Sequence, residues 1–264
     1  MQEVTGTTWT VYDANSMTQA EVYGQVLSEL GEIYPEIVGL TADLAMSTKI
    51  GVFGKKYPER FFNVGIAEQN LFGIAAGLAK AGFIPFVSTM AAFASMRACE
   101  QVRTDICYQE LNCKIIATHG GISFGTAGST HNAQEDIAIM RSFPGMTVIV
   151  PADGIETANA VRACIEHQGP VYIRVGRGFE PTYYQSEDYG FEIGKAVTIN
   201  EGTDLTLICT GVTVLQAAEA AKVLSEEGLS IRVLNIHTIK PIDTEAIMKA
   251  VTDTRRIITV EEHN

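Results

Sequence analysis

Residues 60–77 read RFFNVGIAEQNLFGIAAG. The apolar run at 61–64 has the length of a short buried strand, and Gly65 interrupts it. From residue 67 to 80 the sequence reads as a helix rich in small residues, with Glu68 at its start. A strand that passes through one glycine into a helix is the repeating unit of an α/β fold.

The same alternation continues on both sides. Val22, Val26, Leu27 and Leu30 predict a helix over 18–30 that stops at Gly31. Strands are predicted at 37–40, 84–87, 114–118, 147–150 and 171–175, and helices at 93–110, 134–142 and 155–167. The strands are continuous apolar runs rather than alternating ones, which predicts a parallel sheet covered on both faces. Residues 176–190 break the pattern with Gly, Pro, Tyr and acidic residues in no period. Beyond them, 205–209, 214–226, 231–234, 244–250 and 257–260 repeat a β-α-β-α-β rhythm. The expected organisation is one α/β domain over 1–180, a linker at 181–190 and a second, smaller α/β domain over 191–264. That second domain stops directly after a strand and would expose a sheet edge. Either it is incomplete or a partner completes it.

With 264 residues, 46% of them apolar, the chain has enough material for a core of good size. A formal net charge of −12 argues against a nucleic-acid or anionic-membrane surface, both of which want basic patches. It leaves room for a local basic pocket around an anionic substrate. Cys99, Cys107, Cys113, Cys164 and Cys209 are odd in number and lack a Cys-x-x-Cys pair. They read as reduced thiols of a cytoplasmic protein, not as a zinc site. Residues 1–10 show no basic-then-apolar leader, and the most apolar stretch, 84–94, is too short and interrupted to span a membrane.

Glu68 is the residue of most chemical interest. Its neighbours Ile66, Ala67, Leu71 and Phe72 suit a carboxyl held out of water, which raises a carboxyl pKa. A helix N-terminus lowers it. The spacing alone leaves a plain alternative, an acidic residue complementing the helix dipole. His119 and His131 bracket the loop HGGISFGTAGSTH. Twelve residues apart, they do not form a simple helical metal pair. The loop's glycines suit a phosphate cradle, but no Walker pattern is present. Gly73 and Gly77, with Ala75, Ala76 and Ala79, give a smooth helix face suited to close helix packing.

GIAEQN (65–70) followed by a small-residue helix resembles the pyrimidine-binding domain of transketolases. The resemblance extends through PFVSTMAAF (85–93), the His119 loop, VIVPADG (148–154), VYIRVGR (171–177) and NIHTIKPID (235–243), and covers nearly everything from Thr18 to Asn264. Several ordered motifs at family spacing are far more specific than one short pattern. The fold it implies is a doubly wound parallel sheet, followed by a smaller and incomplete α/β domain. The cofactor it implies is thiamine diphosphate, with Glu68 hydrogen-bonding the aminopyrimidine so that its imino form deprotonates the thiazolium carbon. Phe93 matches an aromatic packed on that ring, and Met90 stands where a second aromatic is usual. Asp43 matches an Asp near the cofactor at the subunit interface. His119 and His131 match groups that contact sugar hydroxyls and shuttle protons. Arg177, and less closely Ser47, match groups that grip a substrate phosphate. The Gly73–Gly77 helix corresponds to one in the family's subunit interface.

Three departures shape the expected function. The family's Gly-Glu-Asp-Gly is Gly125-Thr126-Ala127-Gly128, and Ala20 replaces one of two phosphate-gripping arginines. The diphosphate-binding domain is absent, and Pro151-Ala152-Asp153-Gly154 is not its metal motif because no suitable Asn follows. The resemblance therefore implies one subunit of a split transketolase that moves a two-carbon ketol unit between sugar phosphates, in the chemistry of the pentose phosphate pathway. A separate N-terminal subunit would hold the diphosphate and its Mg2+ or Ca2+ in an α2β2 assembly joined through pyrimidine domains. The alternatives are the β subunit of a 2-oxo acid dehydrogenase, a deoxyxylulose phosphate synthase-like enzyme, and a non-catalytic scaffold of transketolase descent.

Overall fold

Residues 17–178, 180 and 182–264 are described by the computed structural model. The reading of residues 1–10 as lacking a leader falls outside them. The first helix, α1 (Gln19–Ile33), begins at a capping box: the Thr18 hydroxyl accepts from the Glu21 N–H, and the Glu21 carboxylate accepts from the Thr18 N–H. Gly31 does not stop it. The helix ends when Tyr34 turns extended ahead of Pro35, as a residue before proline tends to. Gly31 serves close packing instead, because a Cβ there would lie 2.7 Å from the Phe53 and Tyr57 rings.

The chain then runs through β1 (Ile37–Thr41), α2 (Gly51–Lys56), β2 (Phe61–Asn63), α3 (Glu68–Lys80), β3 (Ile84–Met90) and β4 (Lys114–Thr118). It continues through α4 (Asp136–Ser142), β5 (Thr147–Ile149), α5 (Gly154–Glu166) and β6 (Val171–Arg174). These strands and a short later one, Thr238–Lys240 (β10), form one sheet in the order β10-β5-β6-β4-β3-β1-β2. All of its neighbours pair in parallel except β10 (Thr238–Lys240), which runs antiparallel to β5. Side chains leave alternate faces. Ile37, Phe86, Ile116 and Ile173 join the core under α1 and α5, whereas Val38, Val87, Ile115 and Tyr172 join the core under α3 and α4. Burial on both faces is the reason these strands read as unbroken apolar runs.

One more sequence expectation needs correction, and two features go beyond the sequence reading. Residues 93–110 are not one α-helix. They wind as a π-helical turn at Phe93–Arg97, a short α segment at Cys99–Gln101 and a second π turn at Val102–Cys107. The wide turns are closed by bonds such as Ala98 N–H to the Phe93 carbonyl and Tyr108 N–H to the Arg103 carbonyl. The second sheet, β11-β8-β9-β7, is not wholly parallel. Within it β8 (Leu205–Cys209), β9 (Ile231–Asn235) and β11 (Ile257–Val260) are parallel, but β7 (Val197–Asn200) joins antiparallel to β9. Its helices are α6 (Thr213–Glu226) and α7 (Thr244–Thr254). Finally, the motif 235–243 does not stay in the second sheet, since its strand β10 crosses back to the edge of the first.

The two sheets share more than that strand. One apolar cluster runs from Val26 and Ile155 through to Leu207, Val214 and Val233. Asp153 caps α5 through Oδ1 and receives the Tyr183 and Tyr184 N–H groups on Oδ2, so the PADG turn also anchors the chain between the sheets. Asp243 does the same for α7 and the Ala196 N–H. Glu156 lies wholly buried among these elements, accepting from the Ala152 N–H, the Tyr189 hydroxyl and the Asn235 amide. All five cysteines are free, and burial pushes the Cys107, Cys113, Cys164 and Cys209 thiols up to about 12. No described helix is long and apolar enough to cross a membrane.

Burial pushes the Glu156 carboxyl up to about 7 from an ordinary 4.5. The fold therefore holds this proton more tightly than the unfolded chain does. Its contribution to stability is full below the unfolded value and declines as pH rises through the window between the two. Urea unfolding of the wild type and Glu156→Gln across pH 4–8 should show a wild-type-minus-variant difference that shrinks over that window. Glu156→Ala should lose about 3 kcal/mol at the acid end of the series, because it strands buried donors, and its deficit should shrink over the same window.

Candidate active site

In a parallel sheet all carboxyl ends leave on one edge. Asp43 follows β1, Glu68 follows β2, Phe93 follows β3, His119 follows β4 and Arg177 follows β6. Ligands of open α/β sheets bind at this edge.

Glu68 is the first residue of α3 and only 2% exposed. Gly65 makes its entry possible, with φ +74° and nothing near the missing side chain. The Asn63 side chain steadies the turn by accepting from both the Asp43 and Gly65 N–H groups. The Arg97 guanidinium donates to Glu68 Oε1 at 2.7 Å and lies over the Phe93 ring, 3.9 Å from its centroid. A hollow of about 260 Å³ opens beside the carboxylate, lined by Ile66, Gln69, Asn70 and Arg97. Ile66 is 78% exposed, so an apolar side chain stands in the open next to a buried charge.

His119 is 5% exposed and left-handed, with φ +61°. Such a conformation at a non-glycine residue stores about 1–3 kcal/mol and persists only where the surroundings over-determine it. Here Gly120 N–H bonds the Val175 carbonyl, and His119 Nδ1 lies 2.8 Å from the Thr118 hydroxyl. Burial, the Arg177 charge and His131 lower the imidazole to about 4. The ring packs on Phe124 at 4.7 Å between centroids, and Phe124 in turn meets His131 edge-on at 5.3 Å. His131 meets Phe93 at the same separation. The Arg177 guanidinium lies 4.9 Å from the Phe124 ring centre.

One unbroken run of side chains therefore passes from Glu68 through Arg97, Phe93, His131 and Phe124 to His119 and Arg177. Sequence reading singled out Glu68, Phe93, His119, His131 and Arg177 and missed the two residues between them. Phe124 was signalled by its place midway between the histidines, and Arg97 by lying one helical turn beyond Phe93. Met90 is buried at the end of β3, in register with Thr118. Asp43 and Ser47 are exposed in the loop after β1, outside this run. Thr126 is exposed in a tight turn at Gly125–Ala127, and Ala20 is buried. The neighbouring Gln19 accepts the Gly176 N–H at 2.6 Å, which tethers the start of α1 to the exit of β6. Gly73 and Gly77 are not packed within the chain: a Cβ at either meets nothing within 4 Å.

A buried carboxylate, an exposed apolar side chain and an aromatic ring suit the ring-nitrogen contact and flat faces of an aminopyrimidine. Glu68, Ile66 and Phe93 thus fit that end of thiamine diphosphate. Among the described residues no group of three or more His, Cys, Asp and Glu could hold a metal ion.

These features define a thiamine-type pyrimidine-binding fold. Residues 15–179 match the transketolase pyrimidine binding domain, and 194–264 match the transketolase C-terminal domain. The chain belongs to the transketolase family, which depends on thiamine diphosphate. It is 47% identical to a putative transketolase C-terminal section from Methanocaldococcus jannaschii, over 92% of this chain and 76% of that one. It is 43% identical to one subunit of an apulose-4-phosphate transketolase from Phocaeicola vulgatus, over 95% and 81%. A solved split-gene transketolase, an inactive β4 tetramer, superposes with a TM-score of 0.86 at 47% identity, covering 94% of this chain and 80% of that one.

With its value lowered to about 4, the His119 ring is neutral throughout the physiological range. Imidazole NMR should show no His119 titration above about pH 5.5. Arg177→Leu removes a neighbouring cation and should move the His119 midpoint upward.

Proposed function

We propose that this chain is the pyrimidine-binding subunit of a two-chain transketolase, transferring a two-carbon ketol unit from a ketose phosphate donor to an aldose acceptor. The observation that carries the proposal is the continuous run from the buried Glu68 to the histidines and Arg177 at one sheet edge. Thiamine diphosphate, when bound, supplies the electron sink that carbon–carbon cleavage requires. Glu68 presents a carboxylate oxygen to the aminopyrimidine ring nitrogen and holds the proton there, with Arg97 fixing its orientation. Phe93 and Met90 pack on the ring, and Asp43 borders it across the subunit interface. On the substrate side, His119, held neutral by burial, exchanges hydrogen bonds and protons with sugar hydroxyls together with His131. Arg177, which no described carboxylate pairs with, grips the terminal anion, with Ser47 as a second contact.

Thr126 and Ala127 stand where an acidic pair would read a donor hydroxyl, and Ala20 offers no second cation. We therefore assign a substrate whose single terminal anion is held mainly by Arg177. The diphosphate and its Mg2+ or Ca2+ belong to a partner subunit in the cytoplasm. Relatives named as a C-terminal section and as one subunit of a transketolase support that division. The open Gly73–Gly77 face supports pairing of two copies in an α2β2 assembly.

Glu68→Gln, assayed for ketol transfer with the diphosphate-binding partner present, should lose about 10²- to 10⁴-fold in kcat. Its circular dichroism should match the wild type. Turnover near the wild-type level would refute the role of Glu68.

A further inference from the structure

The second sheet reaches the candidate site through the segment that follows β11. After β11 the chain crosses to the loop at 119–131, where Glu262 Oε1 accepts the Ile122 N–H at 3.0 Å. The Glu262 carboxyl fills the space that a side chain at Gly121 would occupy, since a Cβ there would lie 2.1 Å from it. Its main chain is held too: the Glu262 carbonyl accepts from Arg174 Nη2 at 2.9 Å. That guanidinium also binds the Ala133 carbonyl and the buried Asp136 carboxylate. Gly121 and Ala133 exchange backbone hydrogen bonds, pinching the loop's two ends together. Two further bonds dock the same segment, Asn264 N–H to the Gln134 carbonyl and Ala138 N–H to His263 Nε2. The loop so gripped carries His119, Phe124 and His131.

We propose that Glu262 is a positioning residue for the substrate loop, and that the second α/β unit shapes the site through it. Glu262 makes no hydrogen bond or ion pair with any of the three aromatic side chains. It acts by fixing the backbone at Gly121 and Ile122, which sets where Phe124 stands between the two imidazoles. The loop's importance to substrate rests on the proposed function, but the clamp itself is a property of the chain alone.

Two readouts separate these claims. Hydrogen–deuterium exchange on the whole chain should show the Ile122 amide exchanging about tenfold faster or more in Glu262→Ala, with amides of β3 and β4 unchanged. Glu262→Gln keeps an acceptor oxygen and should stay within about threefold of the wild type, and the neighbouring Glu261→Gln should change nothing. In the complex with the diphosphate-binding partner, Glu262→Ala should raise the KM for the ketose about tenfold while kcat stays within about twofold. Unchanged Ile122 exchange in Glu262→Ala would overturn the clamp. So would equal loss of protection across β3 and β4, which would make Glu262 a general support. If the wild-type complex transfers no ketol unit, the functional reading fails, and exchange at Ile122 still decides the role of Glu262.

Discussion

The Arg174 guanidinium is almost fully buried, and an arginine cannot shed its charge to escape the cost of burial. Its survival there depends on its partners, which include the Glu262 carboxylate 3.8 Å from Nη1. Asp136, equally buried, accepts from Nε, and the Tyr172 hydroxyl donates to the same carboxylate. Nη2 is taken up by the Ala133 and Glu262 carbonyls. Gly120 leaves the room, because a Cβ there would lie 2.7 Å from the Arg174 Nε. Four separate parts of the chain meet at this one ion: β6, the start of α4, the loop after β4 and the segment after β11. Loss of either partner would strand a buried charge, which typically costs about 3–5 kcal/mol.

This junction explains how the candidate site can be built on loops. The sheet itself positions only residues close to the strand ends. His119, directly after β4, is set by a left-handed backbone, and Glu68, beyond the end of β2, is set by the turn at Gly65 and the start of α3. His131 and Phe124 lie further from any strand, and they are placed because Arg174 and Glu262 hold both ends of their loop. The π-helical turn after β3 acts similarly for Phe93 and Arg97. Both lie on one wide turn, where a guanidinium reaches from the ring to the Glu68 carboxylate.

The two sheets are coupled rather than merely tethered. Strand β10 leaves the second unit to extend the first sheet, and Glu156 buries a carboxylate among donors from both units and the segment between them. A boundary drawn through the aperiodic segment near residues 181–190 describes the chain's course. The apolar cluster ignores it and continues from α5 to α6.

The sequence by itself determined the main strands, their burial on both faces and the residues proposed for the two ends of the candidate site. Apolar runs such as 37–40, bounded by turn residues and alternating with helical segments, suit the middle of a parallel sheet covered by helices. Ordered motifs around Glu68, the two histidines and Arg177 then named the residues that the sheet edge collects. Local pattern could not reach what depends on partners distant in the chain. Gly31 looks like a helix stop until the Phe53 and Tyr57 rings are seen against it. The stretch 93–110 has helical composition, and whether its turns close as α or π is a matter of backbone bonding that composition does not encode. The antiparallel strands β7 (VTIN) and β10 (TIK) lack an unbroken apolar run and do not stand out without their partners. Arg97, Phe124 and Glu262 become part of the site only through contacts that span up to 140 residues of sequence, so tertiary structure alone decided that half of it.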